Sequence, residues 1–311
     1  MKYYQIPNTR MRVSSLIQGC MRIAGLSDRE ALMLVDEALD CGVNFFDHAD
    51  VYGAGECEKK FSKTITSDDK RERMIIQGKC GIHKCGGDLD GYYDFSKGYI
   101  LECVDQILSR LATDYLDVLL LHRPDALMEP EEVAEAFDIL ESSGKVCYFG
   151  VSNQSAVQIE IMQRACRQKL LFNQVQFGAA HTLMVDSGMS ANTMLPQGVN
   201  RDNGVLEYSR MNGVTLQCWS PFQHGFFEGV FLGDNARYGK LNQVIDRLAE
   251  KYCVTPAAIA VAWIIRHPAR MQVIVGTTKP SRLRECCAGA DIALDRSEWY
   301  EIYKAAGNPI P

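Results

Sequence analysis

Eight short apolar runs punctuate this chain, and longer amphipathic stretches fill the intervals between them. The runs cover residues 14–18, 43–46, 74–77, 118–121, 146–151, 172–176, 214–219 and 273–275. Several are continuously apolar instead of alternating, as strands covered on both faces must be. Residues 28–41, 97–111, 131–143, 155–167 and 241–251 carry apolar positions at helical spacing. Helix ends are legible as well. Ser27 and Glu30 form a capping box, Gly42 and Gly144 stand where left-handed C-terminal caps belong, and Thr255 precedes Pro256 at a first helical position.

Strands alternating with helices specify a parallel α/β protein. Eight strands with no early G-x-G-x-x-G favour a closed (β/α)8 TIM barrel, with an open doubly wound sheet as the alternative. Residues 3–13, with a turn at Pro7-Asn8, read as a β-hairpin that plugs the barrel bottom. No linker divides residues 1–311, so one domain is expected. Three long connections, 80–96, 178–204 and 221–240, each follow a candidate strand. They therefore belong at the C-terminal face, where barrel enzymes keep their active sites.

Composition narrows the function classes. Charge is mixed along the chain and sums to -6, so no basic stripe is available to track nucleic acid. The N-terminus MKYYQIPNTRMRV lacks the apolar core of a secretory signal, and no run approaches the ~18 apolar residues of a membrane span. A cytoplasmic protein with no membrane association is expected. The 12 cysteines mostly stand singly, as at Cys41, Cys147, Cys218 and Cys253, which fits reduced thiols. Neither Cys80 with Cys85 nor Cys286 with Cys287 has a second pair at zinc spacing, so no metal site is expected. Nothing in the sequence specifies a protein partner.

Four polar residues stand at or just beyond successive strand ends. Asp47 closes FFD, Tyr52 follows in the next loop, Lys79 ends IIQGK, and His122 ends LLLLH. A barrel gathers all four around one mouth. Each has an ordinary structural reading on its own, as half of an ion pair or as packing. Together they suit reduction of a small-molecule carbonyl compound. A tyrosine holds its proton at neutral pH, with an unperturbed pKa of ~10, and a nearby ammonium is expected to lower that value. A buried lysine needs a counter-charge, which Asp47 supplies. A histidine at the mouth orients the carbonyl oxygen. In the same barrel, Lys79 as a Schiff-base nucleophile is an alternative.

The segments GVNFFDHADVYGAGECE (42–58), IIQGKCG, YLDVLLLHRPD (115–125), GKVCYFGVSN (144–153) and VIVGTTKPSRLRE (273–285) together resemble the aldo/keto reductase family, in a bacterial oxidoreductase branch of it. The resemblance spans nearly the whole chain and keeps the family order. It implies Tyr52 as general acid, Lys79 and Asp47 as its tuning pair, and His122 as the orienting group. It also implies an NADP (NADPH) cofactor, with NAD as the alternative. Gly19, Cys20, Met21 and Asp47 would line its site, and Ser152, Asn153 and Gln174 would hold the carboxamide. Trp219 would stack on the ring, and Ser220, Pro221 and Phe222 would begin the pyrophosphate loop. Gly276, Thr277, Thr278, Arg282, Glu285 and Cys286 would surround the adenosine. Two positions depart from the family pattern: Cys286 replaces an asparagine at the adenine, and Gly276 replaces a lysine. A non-catalytic redox sensor is a further alternative within the family. For substrate, Tyr92, Tyr93, Met184, Met189, Phe222, Phe226 and Phe227 in the long connections, with Met21 and Arg22, predict an apolar, adaptable pocket or the packing of those loops.

Overall fold

The computed structural model describes residues 1–83 and 91–311. Eight parallel strands close into a barrel: β1 (Leu16–Gly19), β2 (Phe45–Asp47), β3 (Ile75–Cys80), β4 (Leu116–Leu121), β5 (Val146–Ser152), β6 (Leu170–Gln176), β7 (Thr215–Trp219) and β8 (Gln272–Val275). Each strand pairs with its neighbour in sequence, and β8 closes the ring on β1 through Val273 opposite Leu16. All eight expected strands are present, within a few residues of their expected ends. The largest extension is β3, which runs on to Cys80 and so takes Lys79 into the barrel wall.

The caps form as the local sequence dictates. Ser27 and Glu30 make the capping box of the helix Asp28–Asp40, and Thr255 caps Pro256–Ile265. The last expected helix begins earlier than its periodicity indicates. It runs Asn235–Tyr252 from an Asp234 cap, through a kink at Tyr238.

The hairpin of Tyr3–Gln5 and Arg12–Ser14 seals the bottom. Its buried Tyr4, Ile6, Met11 and Val13 pack against the inward residues Ile17, Phe45, Val118, Leu120 and Phe172. Apolar closure of that end leaves the opposite mouth as the place for polar chemistry.

The long connections carry structure of their own. Ile82–His83 pairs with Tyr92–Tyr93, and Gln223–His224 with Gly229–Val230, as short antiparallel hairpins beside the mouth. The connection 178–204 instead folds a helix, Leu183–Met189, onto the core. Among the described residues, no single helix is long and apolar enough to cross a membrane. Cys85 lies outside the described residues, so its spacing from Cys80 has no structural counterpart here.

Candidate active site

A cavity of about 950 Å³ opens at the C-terminal ends of the strands. Its floor is electrostatic. Lys79 is 0% exposed and donates from Nζ to Asp47 Oδ1 at 2.5 Å and to the His48 carbonyl at 2.8 Å. The same Asp47 oxygen accepts from Gln77 Nε2 at 2.6 Å and Gln174 Nε2 at 2.9 Å. One carboxylate oxygen thus collects three donors from β3 and β6, which is how a buried charge is kept in a protein interior. Behind it the amides continue through the barrel. Gln77 and Gln174 donate to Gln217 Oε1, Gln217 to Gln272 Oε1 at 3.2 Å, and Gln272 to the Ser14 carbonyl at 2.8 Å.

Tyr52 opens a short left-handed turn after β2. Gly53, Ala54 and Gly55 have φ of 55°, 52° and 88°. At Gly55 the φ of 88° favours glycine, and a Cβ there would also displace the Arg110 side chain, whose Cδ stands 2.6 Å away. This turn hangs the Tyr52 ring 4.9 Å (centroid) from Lys79 Nζ and 6.0 Å, edge-on, from the His122 ring. The four expected residues therefore do meet at one mouth.

Their electrostatics differ from expectation in one respect. Burial, and then the Asp47 charge, push the Tyr52 phenol well above the usual tyrosine range. The Lys79 ammonium, shared with Asp47 and the His48 carbonyl, does not outweigh these effects. Burial also lowers Lys79, against the raising effect of Asp47. His122 is pushed well down by burial and by the Lys79 and Arg123 charges, so its imidazole is neutral, and its buried Nδ1 has no partner among the described residues.

The other wall is rich in amides. Asn153, in left-handed conformation at φ 58°, donates to Ser152 Oγ at 2.8 Å and to the His122 carbonyl at 3.3 Å. It accepts from Trp219 Nε1 at 3.1 Å, while Ser152 Oγ donates to the Gln174 carbonyl. Gly19, Met21, Ser152, Asn153, Gln174, Trp219, Ser220, Pro221 and Phe222 line the cavity, as do Gly276, Thr277, Thr278, Arg282, Glu285 and Cys286 across the mouth.

Cys20 is the exception among the expected residues. It is 1% exposed and does not reach the cavity; its thiol points to the Gln18 carbonyl, and burial raises its pKa well above normal. Of the residues expected to shape a substrate pocket, Met21, Arg22, Tyr93, Phe222, Phe226 and Phe227 line the cavity. Tyr92 stacks on His83 instead, and Met184 and Met189 pack into the core with their helix.

Several contributors are not marked by the strand-end pattern. Arg123 and Lys279 line the cavity, and Gln18 ties the end of β1 to the Thr277 carbonyl at 3.1 Å. The glutamines had a visible signal: Gln18, Gln77, Gln174, Gln217 and Gln272 each stand within or at the edge of an apolar run, and all five are buried.

A closed barrel whose strand ends converge on a buried Asp–Lys pair, a tyrosine and a neutral histidine has the layout of a barrel enzyme. Residues 15–306 match the model of the aldo/keto reductase family. The chain belongs to that family, and its relatives include proteins named as oxidoreductases. It is 33% identical to the uncharacterized oxidoreductase YcsN of Bacillus subtilis (strain 168), over 97% of both chains. It is 32% identical to the oxidoreductase YdhF of Escherichia coli (strain K12), over 96% of this chain and 95% of that one. A 6-dehydroglucose reductase of Agrobacterium fabrum is 29% identical over 96% and 95%. Among solved structures, the thermostable aldo-keto reductase Tm1743 shares the fold with a TM-score of 0.76, at 24% identity over 98% of this chain and 100% of that one.

Proposed function

We propose that the protein reduces an aldehyde or ketone to the alcohol with NADPH as cofactor, Tyr52 supplying the proton. The observation that carries this reading is the Lys79–Asp47 pair buried under Tyr52 at the floor of a cavity that His122 also lines. The residues present fit a dinucleotide. Ser152, Asn153 and Gln174 offer amide and hydroxyl groups to a carboxamide beside the Trp219 ring. Gly276 has open space where a side chain would stand, which leaves backbone free for close approach. Lys279 and Arg282 supply two cations at the adenosine end, which suits a 2′-phosphate and offsets the missing lysine at Gly276. Cys286, buried and with its thiol pushed up to about 12 by burial and by Glu285, offers adenine only a weak neutral partner.

Bound there, the reduced nicotinamide supplies the hydride. The chain's own residues handle the oxygen. Neutral His122 orients the carbonyl without adding charge, and Tyr52, held protonated by its surroundings, delivers its proton as alkoxide character develops. Lys79 stands ready to stabilise the tyrosinate left behind, and Asp47 keeps that lysine in place. A Schiff-base role for Lys79 is disfavoured by its full burial and its bond to Asp47. The cytoplasmic setting belongs to the same proposal and is supported by the free thiols of the described cysteines.

The test is NADPH oxidation with 4-nitrobenzaldehyde, native against Tyr52→Phe. The variant is expected to lose at least ~10²-fold in kcat while binding NADPH as the native protein does. Equal turnover by both removes Tyr52 as the acid. A native protein that binds NADPH and reduces no carbonyl compound overturns the enzyme reading.

A further inference from the structure

Arg123 follows His122 directly and lines the same cavity, half-buried. Its Cζ lies 5.7 Å from the centroid of the Trp219 ring and 5.5 Å from that of Phe226. Among the described residues, none pairs with it or accepts a hydrogen bond from it. The nearest carboxylate in sequence is already used, since Asp125 accepts from the backbone N–H of Phe95 and of Leu127. Asp47 is held by Lys79.

This is not how the fold treats its other buried arginines. Arg71 donates to Thr113 and to two backbone carbonyls and pairs with Asp117. Arg110 pairs with Glu58. Aromatic faces attract a guanidinium but accept none of its five planar donors as a carboxylate would. Among the described residues, then, nothing neutralises Arg123 or fills its donor fork inside the ligand cavity. Its place in the ring separates it from the adenosine end. It follows β4, whereas residues 276–286 follow β8, four strands away on the opposite side of the barrel. It lies near the reaction centre instead, close enough for its charge to act on both Tyr52 and His122.

We propose that Arg123 determines substrate specificity by binding a carboxylate carried by the aldehyde or ketone, with Tyr93, Trp219 and Phe226 covering the apolar body of that substrate. The proposal rests on the reductase reading and names its substrate class. A carboxylate matches the fork in two parallel bonds and neutralises the charge. A sugar hydroxyl would occupy donors yet leave the charge unbalanced.

The experiment compares 4-carboxybenzaldehyde with 4-methylbenzaldehyde, which share a ring and a reacting carbon. The native protein is expected to favour the carboxylated aldehyde in kcat/KM by at least ~10-fold, mainly through KM. In Arg123→Leu that ratio is expected to collapse towards one, and in Arg123→Lys to survive in part. A second readout needs no turnover: calorimetric titration of 4-(hydroxymethyl)benzoate into the NADP⁺-saturated protein. Its Kd is expected to rise at least ~10-fold in Arg123→Leu, whereas 4-methylbenzyl alcohol shows no such loss. Absence of preference in the native protein, or a preference that persists in Arg123→Leu, overturns the proposal. If neither these aldehydes nor 4-nitrobenzaldehyde is reduced, the reductase reading fails, and the benzoate titration still decides whether Arg123 binds a carboxylate.

Discussion

Lys79 and Arg123 are cations from adjacent strand ends, yet the fold treats them in opposite ways. Lys79, on β3, is wholly buried, and its ammonium is engaged by the Asp47 carboxylate and the His48 carbonyl. Arg123, just past β4, is half-buried among aromatic rings with no internal acceptor among the described residues. Both groups lose hydration by their position, but Lys79 is compensated within the protein. A charge satisfied internally is part of the apparatus that holds the site. One left unsatisfied in a ligand cavity is held for what enters it. The cavity therefore has a built floor and an incomplete rim.

The floor is tested most severely by Lys79→Met. The substitution keeps length and apolar volume but leaves the Asp47 carboxylate buried without its counter-charge. Stability is expected to fall by about 3–5 kcal/mol, read as a lower urea midpoint at unchanged slope. Donation from Gln77 and Gln174 to the same oxygen places the effect towards the lower end of that range. A loss below about 1 kcal/mol would mean that Asp47 is satisfied without its ammonium partner, and the contrast between floor and rim would break.

The floor was also the more legible part in the sequence. Asp47, Tyr52, Lys79 and His122 each follow an apolar run, and strand ends in a closed barrel have nowhere to point but the mouth. The barrel itself followed from the alternation of runs and helices. What stayed hidden depends on side-chain direction, which chain order does not encode. Cys20 follows Gly19 directly, yet its thiol turns towards the Gln18 carbonyl. Met184 and Met189 sit in a long connection, but that connection folds a helix back onto the core and takes them with it. The net direction of the Tyr52 pKa is hidden as well, because a sequence shows that a lysine is near without showing how deeply the phenol is buried. Arg123 lies in the same segment as His122 and carries no signal of its own, because an arginine beside a strand end is ordinarily paired and chain order does not show that Asp125 accepts from Phe95 and Leu127.

His48 sharpens the account of the floor through pH. It is fully buried against Phe61 at 4.4 Å between ring centroids, and neither ring nitrogen has a partner among the described residues. Burial, with the Lys79 charge beside it, lowers its pKa to about 3 from the ordinary ~6.5. Below ~6.5 the unfolded chain binds a proton at this residue that the folded chain refuses. Stability is therefore complete above ~6.5 and is lost as pH falls from there towards 3, by about 1.4 kcal/mol per pH unit from this group. In His48→Phe that contribution disappears. Urea midpoints between pH 6 and pH 4 are expected to fall less steeply in the variant than in the native protein, His122 acting equally in both. Parallel slopes would show that His48 accepts its proton without unfolding, and the floor would be less closed than its geometry indicates.

The smallest expected effect is the one that separates floor from rim. Arg123→Leu removes a half-buried guanidinium with no internal acceptor among the described residues, so none of their carboxylates is left unpaired behind it. The contact with the Trp219 and Phe226 faces is lost, a matter of about 0.5–1 kcal/mol, and the desolvation cost of the charge is removed along with it. The two oppose each other, and the urea midpoint is expected to correspond to a net change within about 1 kcal/mol of the native protein. Set beside Lys79→Met, this is the sharpest form of the comparison: two cations from neighbouring strands, removed by similar truncations, with several-fold different costs. A loss of 2 kcal/mol or more in Arg123→Leu would show that the guanidinium braces the aromatic wall. Its open donors would then be incidental to packing, and the argument that the fold reserves them for a substrate carboxylate would fall with the contrast.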